Sequence, residues 1–248
     1  MTRISVELVP RDVEVLKEEV KTIKEKLSDV DFINIPDLLS CDTRSWDGAN
    51  IAKAYFDDVV PHLRAMDFDF TKDLPIKDKL REYNIKEVLV IEGDPPQSML
   101  YQVYPTISTD IIKKFSEEMP EITVYAGIDQ YRSSMKEEEY RIRRKQLAGA
   151  KGFFTQPFFD MRYLEMYADL LDGLDIYWGV SPVLSERSVS YWRNKNNVIF
   201  PKDFEPTLEW NIEFARKVIE FARKHNHNVY LMPIKAKIMP YLEGVFAK

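Results

Sequence analysis

Residues 87–96 read EVLVIEGDPP, and this stretch decides the fold. Val88, Leu89, Val90 and Ile91 form an unbroken apolar run. A strand with one wet face would alternate, so a run apolar on both faces reads as a parallel strand covered by helices. Gly93, Asp94, Pro95 and Pro96 then end it in a stiff acidic turn. Working outward, short β-rich runs alternate with longer amphipathic ones to both ends of the chain. The strand-like runs are 3–8, 31–35, 61–65, 87–92, 122–127, 152–156, 175–180 and 228–232. Between them lie segments of 3.6-residue period, at 12–27, 134–148, 161–171 and 207–224. In the first, Val13, Leu16, Val20, Ile23 and Leu27 share one stripe, with Lys and Glu elsewhere.

Eight strands, each followed by a helix, leave about 31 residues per unit in a 248-residue chain, which matches a compact (β/α)8 barrel. A doubly wound open sheet is the competing arrangement. It wants a glycine-rich turn after the first strand, whereas Pro10-Arg11-Asp12 starts a helix there. No linker or low-complexity stretch divides the chain, so residues 1–248 read as one barrel domain.

The net charge of −6 lacks the basic excess of a nucleic-acid binder. No apolar stretch approaches the ~20 residues of a membrane span, and no charged-then-apolar leader opens the chain. The expectation is therefore a cytoplasmic protein that works on small molecules, without nucleic-acid or membrane partners. Cys41 is the single cysteine, which excludes a disulfide framework and a thiolate metal cluster. His225 and His227 read as a solvated turn rather than as metal ligands.

In such a barrel the residues at the carboxyl ends of the strands converge on one face. They are Glu7, Asp37, His62, Arg64, Gly93, Asp94, Gly127, Gln156, Pro182 and residues 233–235. Glu7 is an acid inside an apolar alternation. Burial there would raise its pKa and suit a general acid, or it is an interior carboxylate paired with a Lys or Arg, or a solvated strand edge. Asp94 either faces a heterocycle or is the hydrogen-bonding residue of its own turn. Phe153, Phe154, Phe158 and Phe159 surround Gln156 as an apolar slot for a planar ligand, or they are core with Asp160 capping the next helix. Arg141, Arg144 and Lys145 share a helix face that would hold a diphosphate or be solvated.

Taken in order, the segments SVELVP at 5–10, PHL at 61–63, GDPP at 93–96, RRK at 143–145, AGA at 148–150, TQPFFD at 155–160, GVSPV at 179–183 and VIFP at 198–201 resemble the methylenetetrahydrofolate reductase family over nearly the whole chain. That resemblance implies a barrel that binds FAD and reduces 5,10-methylenetetrahydrofolate to the 5-methyl form with hydride from NAD(P)H. It implies Glu7 as general acid and Asp94 as the carboxylate beside flavin and pterin. Gln156, Ser188, Trp192 and Lys235 fall at substrate-binding positions. Pro36, His62, Gly93, Asp94, Gly127, Glu138, Arg144 and Lys145 fall at flavin-binding positions.

The chain departs from the family at Glu92, which replaces a base, and at Pro36-Asp37, where hydroxyl residues are common. Gly127 stands in place of a tyrosine, and Ser188 in place of an amide. Three readings follow. The first is a flavin-dependent reductase in one-carbon metabolism, on the route to methionine. The second is a flavin-free pterin-binding barrel, acting by direct hydride transfer or by methyl or one-carbon transfer. The third is an auxiliary subunit that needs a redox partner. Homo-oligomerisation is compatible with each.

Overall fold

Eight parallel strands, β1 (Ile4–Glu7), β2 (Phe32–Ile35), β3 (Val59–Arg64), β4 (Glu87–Ile91), β5 (Thr123–Ile128), β6 (Gly152–Pro157), β7 (Ile176–Val180) and β8 (Asn228–Leu231), close into a barrel in chain order. This is a computed structural model, and it describes residues 2–96, 98, 100–234 and 237–247. The helices are α1 (Val13–Lys26), α2 (Ser45–Ala52), α3 (Lys77–Glu82), α4 (Ser108–Glu118), α5 (Met135–Ala148), α6 (Met161–Leu170), α7 (Glu186–Lys195), α8 (Leu208–His225) and α9 (Ile238–Phe246). The (β/α)8 reading of the sequence is borne out. Among the described residues, no helix is long and apolar enough to cross a membrane.

Two details differ from expectation. β3 begins at Val59, two residues before Pro61, because Val59 and Val60 pair with Ile33 and Asn34. Pro61 sits at the last β2 register pair, Ile35↔Pro61, where its missing N–H removes the fewest ladder bonds. β7 is followed by two helices, α7 and α8, rather than one. Pro201 and Pro206 lie between them and stop the first from running into the second.

Strand alternation makes two cores. Outward residues such as Val6, Ile33, Leu63 and Val90 pack under the helix jacket. Inward residues Phe32, Val60, Leu89, Tyr125, Phe154, Tyr177, Tyr230 and Met232 fill the barrel. Phe154 stacks on Tyr177 at 4.1 Å between centroids, and Tyr125 and Tyr230 meet Phe154 edge-on at 5.3 and 5.2 Å. Arg3 closes the amino end. It donates to Glu87 at 3.2 Å, to the Tyr125 and Tyr177 hydroxyls at 3.3 and 3.1 Å, and lies 4.4 Å over the Phe32 ring. With that end plugged, the barrel opens toward the carboxyl face.

Candidate functional site

A cavity of about 660 Å³ opens at the carboxyl ends of the strands. It is lined by Glu7, Pro36, His62, Gly93, Asp94, Gly127, Glu138, Arg144, Lys145, Gln156 and Trp192, which the sequence had scattered over seven strand–helix units. Ser188 is not among its walls. It lies in the first turn of α7 with its hydroxyl 3.2 Å from Ser185 Oγ, inside the helix cap. Lys235 lies outside the described residues.

The floor is polar but carries little charge. Glu7 is buried and accepts a hydrogen bond from the Tyr230 hydroxyl. Burial pushes its carboxyl up to about 7, against the opposing pull of that hydrogen bond and of Arg11. His62 is buried too, and burial pushes its imidazole down to about 3, so it is neutral near pH 7. Among the described residues its Nε2 has no hydrogen-bond partner. Asn34, the register partner of Glu7 on β2, is fully buried, and neither of its amide atoms has a hydrogen-bond partner among the described residues. Unpaired buried polar atoms are costly unless a water or ligand meets them.

One wall comes from α5. Ser134 caps its first turn, and the helix turns Glu138, Arg141 and Lys145 to the barrel. Lys145 Nζ donates to the Gly127 carbonyl at 2.6 Å; burial lowers its pKa, while Glu138 and Glu92 oppose that shift. Glu138 Oε1 accepts from the Asp129 N–H at 3.2 Å, and its Oε2 lies 3.6 Å from Arg141 Nη1. Arg141 also pairs with Glu137 at 2.7 Å, and Arg132 with Asp129 at 3.5 Å. Arg144 is exposed at the rim.

Glu92 also lines the cavity and acts on Lys145, and its carboxylate is engaged by the start of α4. Its carboxylate accepts from the Ser108 hydroxyl at 2.6 Å and the Ser108 N–H at 3.1 Å, anchoring the start of α4.

The neighbouring edge, at the exit of β4, is the Gly93-Asp94 turn. Gly93 adopts φ +87°, a left-handed conformation that favours glycine, and a Cβ there would sit 3.1 Å from Arg64 Cβ. Asp94 is exposed into the cavity, as is Gln156 at the end of β6. The buried Gln130 amide fixes the β6 exit by donating to the Gln156 carbonyl at 2.7 Å. Trp192 reaches in from α7 and meets Phe159 edge-on at 6.3 Å.

The phenylalanine slot does not form. Phe153 and Phe158 belong to the helix jacket, and Phe159 packs on Phe200 and Phe204; only Phe154 reaches the cavity. Asp160 caps α6, accepting from the Arg162 N–H at 2.9 Å. His227 is half-buried rather than solvated, because its Nδ1 accepts from Trp178 Nε1 at 3.0 Å. Among the described residues no cluster of His, Cys, Asp or Glu could hold a metal ion. Asn34 and Gln130 are polar residues that the sequence reading missed. The signal for Asn34 was a polar side chain of inward parity in an otherwise apolar strand, FINI.

No family model matches the chain. It is 22% identical over 147 residues, 57% of its length, to 5,10-methylenetetrahydrofolate reductase of Buchnera aphidicola subsp. Schizaphis graminum. The match spans 50% of that relative's length. Among solved structures it is similar to an uncharacterised protein from Clostridium thermocellum that binds two copies of 5-methyl-5,6,7,8-tetrahydrofolic acid. That likeness has a TM-score of 0.65 at 14% identity, covering 98% of this chain and 94% of the other. A 2,3-dimethylmalate lyase superposes with a TM-score of 0.55 at 11% identity, over 91% and 82% of the two chains. At these identities the structural likenesses establish the barrel fold.

Proposed function

From this similarity to a methylenetetrahydrofolate reductase, in sequence motifs and in alignment, we propose that the barrel binds a reduced folate or related pterin at its carboxyl face. There it reduces the 5,10-methylene form to the 5-methyl form with hydride drawn from NAD(P)H. The observation that carries this reading is Glu7. A carboxyl at the cavity floor that titrates near pH 7 is a general acid poised to work at neutrality. Opening the methylene bridge requires a proton on the departing nitrogen, which Glu7 donates, leaving an iminium carbon to accept hydride. Glu7 then recovers its proton from solvent. Asp94 and Gln156, both exposed into the cavity, hold the amino and amide edge of the pterin, and Trp192 offers a ring face beside it.

FAD is the cofactor of this reading, and the residues present fit it. Among the described residues the buried His62 Nε2 has no hydrogen-bond partner, and the Glu138 carboxylate lines the cavity beside Arg141. A Cβ at Gly127 would meet only Ile91 Cγ2, at 3.4 Å, so a flat ring can approach the end of β5. Arg144 and Lys145 would hold the diphosphate, and Pro36, Gly93 and Asp94 would border the cofactor. When bound, FAD supplies a two-electron carrier between nicotinamide and pterin.

A second reading, the flavin-free pterin barrel, is favoured by the charge balance of the α5 wall. Arg132 and Arg141 already face carboxylates and Lys145 is tied to a carbonyl, so of the four cations lining the cavity three are engaged without a diphosphate. The solved neighbour that binds two copies of 5-methyl-5,6,7,8-tetrahydrofolic acid supports pterin binding by a barrel of this fold.

An absorbance spectrum of the purified protein, before and after adding FAD and desalting, decides between the two. A retained flavin band supports the reductase reading. A flat spectrum combined with tight binding of 5-methyltetrahydrofolate favours the second, and no pterin binding overturns both. In the reductase reading, Glu7→Gln keeps pterin binding and loses turnover of the methylene substrate.

A further inference from the structure

Four charged side chains behind the Gly93-Asp94 turn form an unbroken chain that the reading above does not use. Asp37, at the end of β2, grips Arg44 at 3.0 and 2.5 Å. Arg44 reaches Asp67 at 2.9 Å, and Asp67 accepts from Arg64 Nε at 3.3 Å. Arg64 Nη2 then donates to the backbone carbonyl of Asp94 at 2.8 Å. Arg64 and Asp37 are buried. The signs alternate, so the chain is neutral and each charge is compensated by its neighbours.

The chain is anchored at one end and reaches the cavity at the other. Asp37 also accepts from the Ser45 N–H at 3.2 Å, which ties it to the first turn of α2. At the far end Arg64 supports the turn twice over. Its guanidinium holds the Asp94 carbonyl, and its stem lies where a Cβ on Gly93 would come within 3.1 Å. The turn must sit flush on Arg64, which only the left-handed glycine allows.

We infer that Arg64 is a positioning residue that sets the Asp94 carboxylate over the cavity, held in register by the Asp37–Arg44–Asp67 chain. A carboxylate on an exposed loop loses binding power through the entropy of finding its ligand; fixing its backbone removes part of that cost. An arginine suits the task because its planar fork serves Asp67 and the Asp94 carbonyl at once, which a lysine cannot reproduce. This inference rests on the reading of Asp94 as a pterin-binding group.

The test is a double-mutant cycle on binding of 5-methyltetrahydrofolate, with the unfolding midpoint of every variant measured alongside. Asp94→Ala is expected to weaken binding about tenfold, as loss of a charged hydrogen-bonding group should. Arg64→Met is expected to weaken it about fivefold alone and less than twofold in the Asp94→Ala background, with Arg64→Lys falling in between. A merely structural role would lower the unfolding midpoint without this coupling in binding. A full fivefold loss in the Asp94→Ala background, or no loss from Arg64→Met alone, overturns the inference. If Asp94→Ala alone leaves binding unchanged, the assignment of Asp94 fails first, and the two failures are told apart. Should Arg64→Met not fold, Asp67→Asn, which cuts the chain one link back, is carried through the same cycle with a two- to threefold loss expected.

Discussion

A carboxyl such as Glu7 costs stability for the same reason that it is useful. In the folded state its pKa is pushed up to about 7, from an ordinary value of 4.5. Below the lower value the group is neutral whether folded or unfolded, and its burial carries no charge penalty. As pH rises through the interval the unfolded chain releases the proton first, so stability falls until the folded carboxyl has also ionised. At 1.36 kcal/mol per pKa unit the loss between pH 4 and pH 8 is roughly 3 kcal/mol from this group. Glu7→Gln removes the titration, so its stability relative to the native protein should rise by about that amount between these pH values, measured by denaturant unfolding at each. An equal difference at both would mean that Glu7 does not titrate as a buried acid. His62 illustrates the converse. Held neutral near pH 7 by burial, it is a hydrogen-bonding group with an unmet Nε2 and contributes no positive charge toward a phosphate. The acid at position 7 was legible in the sequence as a charge in an apolar alternation. Its partner was not, because Tyr230 stands 223 residues away and only barrel closure brings it alongside.

Strands were the legible elements, since their apolar runs are set by local pairing and burial on both faces. Helices were less so: α2 and α3 are short, and α7 is read only once the prolines at 201 and 206 are seen to separate it from α8. The site followed the strands, because a residue at a strand end is placed by the fold whichever helix follows. Ser188 had no such guarantee, being in a helix, and its hydroxyl is spent on the cap of α7. A close approach between strands is also invisible locally. At Gly179 on β7 an added Cβ would lie 2.5 Å from the Thr155 carbonyl and 2.8 Å from the Gln156 carbonyl, beside the register shift between β6 and β7. Both obstacles are backbone, so neither can swing aside. Gly179→Ala should therefore destabilise by about 3 kcal/mol or more, beyond ordinary overpacking, and should disturb the Gln156 strand end. Gly127→Ala, with a single side-chain contact at 3.4 Å, serves as the control and should remain within about 1 kcal/mol of the native protein. Equal thermal midpoints for the two variants would refute the close-approach argument.

At the scale of the whole barrel, stability and function are divided between its two ends. The carboxyl end carries the unmet polar atoms of Asn34 and His62 and the raised acid Glu7, features that lower stability and that a ligand can use. The amino end is the reverse. Arg3 satisfies Glu87, Tyr125 and Tyr177 together, Asn228 donates to Asp175 at 2.6 Å, and burial with these neighbours locks four strands under the aromatic core. Arg3→Met removes the cation of that network and leaves Glu87, whose side chain is 16% exposed, and the half-exposed Asp58 without their counter-charge. Breaking a fully buried pair costs 3–5 kcal/mol; with Arg3 itself 30% exposed, water takes up part of the loss, and about 2 kcal/mol is expected. Because the aromatic layer of Phe154 and Tyr177 separates this network from the cavity, binding of 5-methyltetrahydrofolate should stay within about twofold of the native value. The measurement is a pair of titrations on one variant, denaturant for stability and pterin for binding. A large loss of affinity with the fold intact would mean that the plug and the site are coupled through the aromatic layer, and that the two ends of the barrel act as one unit.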